Sequence, residues 1–382
     1  MKILFIASWY PTKRNPNYGI FIKEHAKAIN TTKNEIITLA IVIHRSKKLW
    51  SETISDTVDE NGVRTVLIEI NTRFRDIVYH AVPLQYSLVR KPFRKLIQPQ
   101  FNPDIIHSNV IFPAGIIGNW LANDLKKPHI ITEHWTRVRN FAKMPILSTW
   151  GKKAYQQAFR ILPVSKFLQH EIMDSFAIAE NKFKVVGNVI DSKTFMFKEK
   201  ESHPTELRLC AIATWAHLKN PAKQPELLIN ALSALQAEIS QTISLTMVGG
   251  GDKVAELKEL CQAKAVKAEF TGYLEKSEIV KKLQEADFFV HATTIETFGV
   301  VVAEALLTGT PVVCSNVSAL AELISDSNGE LCENTIEDWV RGLKKAINTD
   351  YDKKQIAADV RLKYEKETIG EVINCVYQEL AK

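Results

Sequence analysis

Two glutamates eight residues apart give the strongest chemical signal in this sequence of 382 residues. They lie in the stretch A-T-T-I-E-T-F-G-V-V-V-A-E-A-L-L-T-G-T-P-V-V, Ala292 to Val313, whose pattern is typical of strand, loop, helix and strand. Glu296 falls in the loop and Glu304 in the helix. A carboxylate can accept hydrogen bonds from both hydroxyls of a vicinal diol, as recognition of ribose or hexose requires. Both residues also have a purely structural interpretation. Glu296 would then be a solvated loop residue, and Glu304 a first-turn residue that the helix dipole favours.

The backbone of the same stretch is suited to a phosphate group. Gly299 allows a ligand to approach the main chain closely. The helix that begins near Val300 has N–H groups free to bind an anion. Gly309 and Pro311 end that helix. The stretch therefore indicates a ligand that carries both sugar and phosphate.

Short apolar runs alternate with helical patterns along the chain, which indicates parallel strands with helices on both faces of each sheet. In the first half the predicted strands are Lys2–Ala7, Glu35–Ile43, Thr65–Ile70, Ile105–His107, Ile130–Glu133, Ile161–Val164 and Lys184–Val186. In the second half they are Leu207–Ala213, Ser244–Val248, Glu269–Thr271, Phe288–Ala292 and Pro311–Cys314. The predicted helices include Phe21–Ile29, Pro225–Glu238, Lys253–Ala263, Lys276–Ala286, Val302–Leu307 and Glu367–Leu380. The fold class is therefore α/β, with two Rossmann-like domains.

The predicted domain boundary lies in Phe197–Thr205. There K-E-K-E-S-H-P is charged, has no hydrophobic period and contains a proline. We place the first domain at residues 1–198 and the second at residues 199–364.

Composition is that of a soluble globular chain, with 46% hydrophobic and 24% charged residues. The most apolar stretch, Ile105–Ala122, is broken by polar residues and a proline, so we expect no membrane span. The apolar start, Met1 to Tyr10, predicts a buried first strand and not a signal peptide. Five cysteines lack metal-site spacing, which favours reduced thiols in a cytoplasmic protein.

The stretch E-T-F-G-V-V-V-A-E resembles the E-x7-E element of glycosyltransferase family 4, the retaining GT-B enzymes also called group 1 glycosyltransferases. The resemblance covers nearly the whole chain, through landmarks that keep the family's order and spacing. In the second half these landmarks are Val248–Asp252, Phe270–Tyr273 and Ala286–Val290. In the first half they are Pro103–His107, Thr132–His134, Val164–Ser165 and Asn188–Asp191.

The resemblance implies a role for each matching residue. Glu304 would hold the ribose hydroxyls of a nucleotide, and Glu296 would contact hydroxyls of the donor sugar. His134 matches the family's histidine beside the reacting sugar, and Gly19 lies where the family's glycine-rich loop faces the diphosphate. Without the resemblance, His134 is typical of a structural histidine and Gly19 of a helix entry. The remaining implied donor contacts are Gly249, Tyr273, Thr297, Phe298, Gly299 and Val300.

Lys219 matches the lysine of the family's G-R-x-x-x-x-K pyrophosphate element, where a cation stabilises the leaving diphosphate. The family's arginine is replaced by Trp215, which cannot neutralise phosphate. Lys219 and the helix N-terminus would then carry that role, with His217 or Lys223 as further candidates. A second departure is Val317-Ser318-Ala319, where the family usually has Gly-Gly.

The implied architecture is GT-B, with parallel sheets on either side of a central cleft and a last helix, residues 365–382, that returns to the first domain. The implied reaction transfers a hexose-type sugar from a nucleotide-diphosphate sugar to an acceptor hydroxyl with retention, in polysaccharide or glycolipid assembly. We expect no cofactor and no metal, since no D-x-D-like loop stands in a donor position. A nucleotide-sugar epimerase-like enzyme and a catalytically silent sugar-nucleotide-binding protein stay open as alternatives.

Charge is divided unevenly along the chain. Residues 1–191 contain 27 basic and 15 acidic side chains, and the rest contain 22 and 28. Basic residues alternate with aromatic ones in residues 73–100 and 137–153, in the domain expected to bind the acceptor. An anionic membrane surface and a solvated helix face both explain this pattern. A lipid-linked or a saccharide acceptor is expected, the protein being peripheral on the inner face of the membrane in the first case. No nucleic-acid partner is expected.

Overall fold

The computed structural model describes residues 1–199, 203–217 and 222–381. It contains two compact units: the first is Met1–Val189 with the segment from Lys366 onward, and the second is Ile190–Glu365. The boundary suggested by the sequence lies later, between residues 198 and 199. The segment in between packs on the second unit, since Ile190 N–H donates to Tyr364 O over 2.8 Å and Gln284 donates to Met196 O over 2.8 Å.

The first unit is built on a seven-stranded sheet. Its strands are β1 (Lys2–Ala7), β2 (Glu35–Arg45), β3 (Ser51–Val58), β4 (Arg64–Thr72), β5 (Ile105–Asn109), β6 (His129–Glu133) and β7 (Arg160–Pro163). Their order in the sheet is β3-β4-β2-β1-β5-β6-β7. The six strands from β4 to β7 in that order are parallel, and only β3 runs antiparallel, against β4. All parallel strands therefore end at the same carboxyl edge.

Helices cover this sheet, and the last one comes from the end of the chain. They are α1 (Ile20–Asn30), α2 (Arg75–His80), α3 (Val82–Pro92), α4 (Ile116–Leu125), α5 (Val138–Phe141), α6 (Pro145–Gln157) and α7 (Lys166–Phe176), followed after the second unit by α15 (Lys366–Gln378). In α15, a Cβ on Gly370 would lie 2.3 Å from Ala28 O in α1, so glycine permits the close packing of these helices. The hydroxyl of Tyr377 lies 2.5 Å from Nδ1 of His107 in β5. The last helix thus completes the first unit.

The second unit has a six-stranded sheet that is parallel throughout. Its strands are β8 (Glu206–Ile212), β9 (Thr242–Val248), β10 (Lys267–Gly272), β11 (Phe288–His291), β12 (Val312–Ser315) and β13 (Gly329–Cys332), in the order β10-β9-β8-β11-β12-β13. Its helices are α8 (Pro225–Gln236), α9 (Val254–Ala263), α10 (Lys276–Glu285), α11 (Val300–Leu307), α12 (Leu320–Leu323), α13 (Ile336–Ile347) and α14 (Lys353–Tyr364). Two α/β units with parallel sheets confirm the fold class that the sequence predicts.

Three elements differ from the sequence prediction. Residues 184–186 form no regular strand, although Lys184 N–H and Val186 N–H donate to Ile161 O and Pro163 O beside β7. The strands β3 and β13 were not predicted. Both lie at sheet edges; β3 is largely exposed and β13 reads G-E-L-C, so neither has the apolar run of a central parallel strand.

The five cysteines are free thiols, four of them buried and Cys375 exposed. None of the helices in the described part of the chain combines the length and apolarity needed to cross a membrane.

Candidate active site

The loop between β11 and α11 lies at the carboxyl edge of the second sheet and carries Glu296. Gly299 precedes α11 with φ of 87°, a conformation that favours glycine. Glu296 N–H donates to Ser318 Oγ over 3.2 Å, and Glu296 O accepts from Ala319 N–H over 3.3 Å. Ser318 itself has a positive φ of 49°, at the departure from the family's Gly-Gly pair. Residues 318 and 319, which follow β12, therefore fix the loop beside the N-terminus of α11.

Three ionisable side chains meet at this loop. Nε2 of His291, the last residue of β11, lies 3.0 Å from Glu296 Oε1 and 3.0 Å from Lys223 Nζ. Lys223 also forms an ion pair with Glu296 Oε1. His291 is 3% exposed. The second unit thus holds a lysine, a histidine and a carboxylate in mutual contact, and we call them the Lys223 cluster.

Backbone hydrogen bonds fix the position of Lys223. Thr294 N–H donates to Ala222 O over 2.8 Å, and Gln224 N–H donates to Ala292 O over 3.0 Å. The segment that precedes α8 is therefore paired with the segment that follows β11, which brings Lys223 against Glu296.

Lys223 and His291 stabilise the ionised form of Glu296. Burial alone would raise the pKa of Glu296, but the hydrogen bond from His291 and the charge of Lys223 outweigh it and lower the pKa to about 2. The pKa of His291 is lowered by burial and by Lys223, and Glu296 opposes that shift. Around neutral pH the cluster therefore contains an ionised glutamate, a neutral histidine and a lysine, a cation that can meet phosphate.

Glu304 lies one helical turn into α11 in a different electrostatic environment. Burial raises its pKa to about 7; Asp191 adds to the rise, and Lys276 opposes it. Lys276 and Asp191 form an ion pair with each other over 3.4 Å. The two glutamates of the E-x7-E element therefore differ in charge near pH 7. The motif alone does not predict this difference.

The glycine turn after β9 lies at the same carboxyl edge. Gly249 and Gly251 have positive φ, and a Cβ on either would lie 1.9 Å from the carbonyl oxygen of Ala213 or Trp215. Trp215 is 4% exposed, and its Nε1–H donates to Val248 O over 3.2 Å. Its indole supports the turn, so the residue at the family's arginine position has a structural role here.

Tyr273 follows β10 and covers this turn. Its hydroxyl donates to Gly250 O over 3.2 Å, and its side chain is among the most exposed aromatic ones, at 72%. An aromatic ring that is held on one side and exposed on the other can stack on a base. Phe298, in contrast, is buried against Tyr364 with ring centroids 5.1 Å apart, so only its backbone is available to a ligand.

Lys219, which the sequence matched to the pyrophosphate lysine, lies outside the described residues. His217 is paired with Glu256 on α9, with Nε2 2.9 Å from Oε1. Lys223 was only a further candidate. The assignment of Lys219 therefore stays a prediction, and Lys223 is the lysine that the described residues place against Glu296.

The carboxyl edge of the first sheet carries His134, directly after β6. Its Nε2 lies 3.4 Å from Asn109 Oδ1, and its ring packs on Phe21 and His25, with centroids 4.8 and 5.1 Å away. Burial lowers the pKa of His134 well below its ordinary value; His25 adds to this, and Asn188 opposes it. His134 is therefore neutral near pH 7 and suited to hydrogen bonding with a hydroxyl.

Several buried polar atoms around His134 have no hydrogen-bond partner among the described residues. They are Nδ1 of His134, both ring nitrogens of His25, Nδ2 of Asn109 and Oδ1 of Asn188. Buried polar groups without partners are uncommon and costly in a folded protein. These atoms therefore form a buried polar cluster at the edge of the first sheet, in which Asn188 faces His25 and His134.

Glu133 organises this edge, a role that its position in the sequence does not predict. Its carboxylate accepts hydrogen bonds from the N–H groups of Ile111, His134 and Trp135 over 2.8 to 2.9 Å and from the Tyr155 hydroxyl over 2.7 Å. Burial raises its pKa in spite of these bonds. Glu133 thus ties the loops after β5 and β6 together and fixes the backbone of His134.

Gly19 lies at the same edge, at the N-terminus of α1. Its φ is 69°, and a Cβ there would lie 2.5 Å from the carbonyl carbon and oxygen of Trp9. The loop after β1 therefore folds back closely on Trp9, and only glycine fits the turn.

Comparison with known families accounts for both halves of the chain. The sequence model of glycosyltransferase family 4 matches residues 55–194, and that of group 1 glycosyl transferases matches residues 211–362. The chain is a group 1 glycosyltransferase of family 4. The two family matches fall on successive α/β units in the order that the GT-B architecture has.

This group 1 glycosyltransferase is similar to several named proteins. An uncharacterized glycosyltransferase of Methanocaldococcus jannaschii is 22% identical over 323 residues, which are 81% of this chain and 86% of that protein. Alpha-monoglucosyldiacylglycerol synthase of Streptococcus pneumoniae is 28% identical over 255 residues, which are 60% of this chain and 56% of that protein. HepE of Anabaena in complex with UDP superimposes with a TM-score of 0.73 at 16% identity, over 99% of this chain and 100% of the other. At that identity the superposition supports the fold.

Among the residues that the structure describes, no three His, Cys, Asp or Glu side chains are grouped so as to hold a metal ion.

Proposed function

We propose that this glycosyltransferase moves a hexose-type sugar from a nucleoside-diphosphate sugar to an acceptor hydroxyl, with retention at the anomeric carbon and without a metal. The observation that carries the proposal is the Lys223 cluster beside Gly299 and the N-terminus of α11. A cation and free N–H groups at one place are what a leaving diphosphate requires. Glu296, next to them, supplies an ionised acceptor for sugar hydroxyls.

In this proposal Lys223 takes the role that the sequence gave to Lys219. In the ligand-free chain Lys223 is paired with Glu296. A bound diphosphate would compete for the lysine and release the carboxylate to the donor sugar. The anion thus replaces Glu296 as the partner of Lys223, while Glu296 keeps its contact with His291 and accepts hydrogen bonds from sugar hydroxyls.

Glu304 and Tyr273 would bind the nucleoside. The ionised carboxylate of Glu304 accepts from the ribose hydroxyls, and the exposed ring of Tyr273 stacks on the base. Gly249 lies in the turn beneath Tyr273, where a side chain would clash with the backbone. Thr297, Phe298 and Val300 would contribute backbone groups.

The first unit would bind the acceptor. Neutral His134 and the unpartnered atoms around it are suited to hydroxyl groups, and Gly19 would allow the backbone of the loop after β1 to approach the diphosphate. Both a lipid-linked and a saccharide acceptor remain in the proposal. The similarity to a glucosyldiacylglycerol synthase supports a lipid acceptor, in the assembly of glycolipid or cell-surface polysaccharide.

The test is donor cleavage by the purified chain. Nucleoside-diphosphate sugars are incubated with it, beginning with UDP-glucose because the structural neighbour HepE has been crystallised with that donor, and released nucleotide is measured. We expect slow hydrolysis of one donor. The rate should decrease about ten- to a hundredfold in Lys223→Met and change little in Lys282→Met. Lys282 is the matched control because it is paired with Glu269 elsewhere in the same unit. Proton NMR of a product formed with acceptor reports the anomeric configuration.

Binding of a nucleotide sugar without any cleavage would instead favour the catalytically silent alternative. A free, rearranged sugar nucleotide as the only product would favour the epimerase-like one.

A further inference from the structure

Three loops at the carboxyl edge of the first sheet form one exposed basic surface. They follow β1, β2 and β4, which are neighbours in the sheet. Backbone groups join them: Ser46 N–H donates to Thr72 O over 3.1 Å, and Arg73 N–H donates to Lys48 O over 2.8 Å. We call this the edge surface, and its cations are Arg14, Arg45, Lys47, Lys48, Arg73 and Arg75.

Large apolar side chains project from the same loops. Leu49 is 61% exposed and Trp50 42% in the loop after β2, while Phe74 is 44% and Ile77 70% after β4. Leu49 O accepts a hydrogen bond from Thr72 Oγ1 over 2.6 Å, so the two loops are in direct contact. Single exposed apolar residues are ordinary, but four on adjoining loops form a patch that requires explanation.

The cations of the edge surface are only partly neutralised. Asp76 forms ion pairs with Arg45 and Arg75. Lys47, Lys48 and Arg73 form no ion pair with another described residue. The surface therefore retains a positive charge directly beside its exposed apolar side chains.

We infer that the edge surface docks on an anionic lipid bilayer. Leu49, Trp50 and Ile77 would enter the interfacial layer, and the cations would meet lipid phosphates. A tryptophan is well suited to that layer because its ring is apolar and its N–H can remain hydrated. A nucleic acid explains the cations but gives exposed leucine and isoleucine side chains no partner.

The position of the edge surface links docking to the proposed acceptor site. Parallel strands end at one edge, so the loops after β1, β2 and β4 lie on the same side of the sheet as Asn109 and His134. An acceptor anchored in the bilayer would thus be presented to that edge. This consequence rests on the proposed function, whereas docking itself does not.

The second half of the basic stretch 73–100 lies elsewhere. The Arg64 side chain donates to Leu96 O over 3.1 Å, and Arg64 is the first residue of β4. Leu96 and its neighbours Arg94 and Lys95 are therefore at the amino edge. The nine residues of β4 separate the edges by about 26 Å, at ~3.3 Å for each step from one residue to the next. This is well beyond the screening length of about 8 Å at physiological salt.

The amino-edge cations supply a matched control. One variant carries Lys47→Glu, Lys48→Glu and Arg73→Glu, and the control carries Lys91→Glu, Arg94→Glu and Lys95→Glu. Both change the charge of the same unit by the same amount on exposed side chains. The full chain and each variant are sedimented with vesicles of phosphatidylglycerol and phosphatidylcholine, and with phosphatidylcholine alone.

The parent and the amino-edge control should bind only the anionic vesicles, more weakly as salt increases. At about 1 kcal/mol for each cation near the surface, the edge variant should bind about 100-fold or more weakly. A further variant, Leu49→Ser with Ile77→Ser, should lose binding while it keeps every charge. Trp50 should be quenched by brominated lipid, a signal that Trp50→Phe removes.

Equal loss in the two charge variants would overturn the inference, because net charge and not this surface would then cause binding. Failure of the parent to sediment at low salt, or binding of duplex DNA in place of vesicles, would also overturn it. Donor cleavage measured without vesicles should be unchanged in the edge variant. Cleavage without vesicle binding would therefore contradict this inference and leave the proposed function intact.

Discussion

Protonation of Glu304 should control nucleotide binding around neutral pH. Burial in α11 raises its pKa to about 7, so near pH 7 about half of the ligand-free molecules carry a neutral carboxyl group. A neutral carboxyl cannot accept from two ribose hydroxyls as the carboxylate does. Nucleotide binding should therefore release a proton from Glu304, and affinity should increase with pH.

The size of the effect follows from the ionised fraction. With a pKa of about 7, roughly one-eleventh of Glu304 is ionised at pH 6 and roughly ten-elevenths at pH 8. The dissociation constant of a nucleoside diphosphate should thus decrease about tenfold between these values, equivalent to ~1.4 kcal/mol.

Calorimetric titration at pH 6, 7 and 8 measures this dependence. The ligand's phosphate also titrates in this range, so the control is Glu304→Gln, in which only the ligand's contribution remains. The difference between parent and variant should grow about tenfold from pH 6 to pH 8. Lys276→Met should move the parent's midpoint to higher pH, because the charge of Lys276 lowers the pKa of Glu304.

A parent profile that runs parallel to that of Glu304→Gln would refute the reasoning. Glu304 would then keep one protonation state on binding, and its assignment to the ribose would be wrong. A shift of the midpoint to lower pH in Lys276→Met would contradict the electrostatic account of the site.

Four further outcomes are expected. The first unit should lose about 3–4 kcal/mol of unfolding free energy between pH 7 and pH 5 from His25 and His129, whose pKa values burial lowers to about 4 and about 3, because the unfolded chain binds their protons first. Urea unfolding checks this; His129→Gln should reduce the loss by about 2 kcal/mol, and a flat profile would count against it. Tyr155→Phe should destabilise the chain by ~1.5–3 kcal/mol, since it removes a hydrogen bond to the buried carboxylate of Glu133, and an unchanged urea midpoint would show that Glu133 does not depend on that bond. Activity should survive excess chelator; loss that Mg²⁺ restores would contradict the phosphate role of Lys223. Glu296→Gln should lower turnover about ten- to a hundredfold, measured by donor cleavage, whereas unchanged turnover would remove Glu296 from the reaction.

The central strands could be predicted because burial on both faces leaves apolar, β-branched runs. β1 reads K-I-L-F-I-A and is buried from its second residue on, and the sequence placed it correctly. β3 reads S-E-T-I-S-D-T-V at an exposed edge, where burial does not require apolar side chains. An edge strand that pairs mainly through its backbone is therefore difficult to predict from its side chains.

The site could be predicted only where chemistry depends on local spacing. Glu296, Gly299 and Glu304 lie on one loop and the helix that follows it. Their spacing in the sequence was therefore enough to predict that they belong to one site. Lys223 meets Glu296 through hydrogen-bonded segments that are distant in sequence, so no local motif could place it there. Burial raises the pKa of both glutamates, and the pKa of Glu296 is nevertheless low because His291 and Lys223 contact it. These tertiary neighbours are not part of any local motif.

Binding of a nucleoside diphosphate to Lys223→Met tests the central claim most directly. Calorimetry on the parent, Lys223→Met and Glu296→Gln should show affinity reduced about ten- to a hundredfold in the lysine variant, the loss expected for a charge-assisted hydrogen bond. Glu296→Gln should bind as tightly as the parent or more tightly, because it releases Lys223 from its partner. Parent-like affinity in Lys223→Met would contradict the assignment of the diphosphate to the Lys223 cluster.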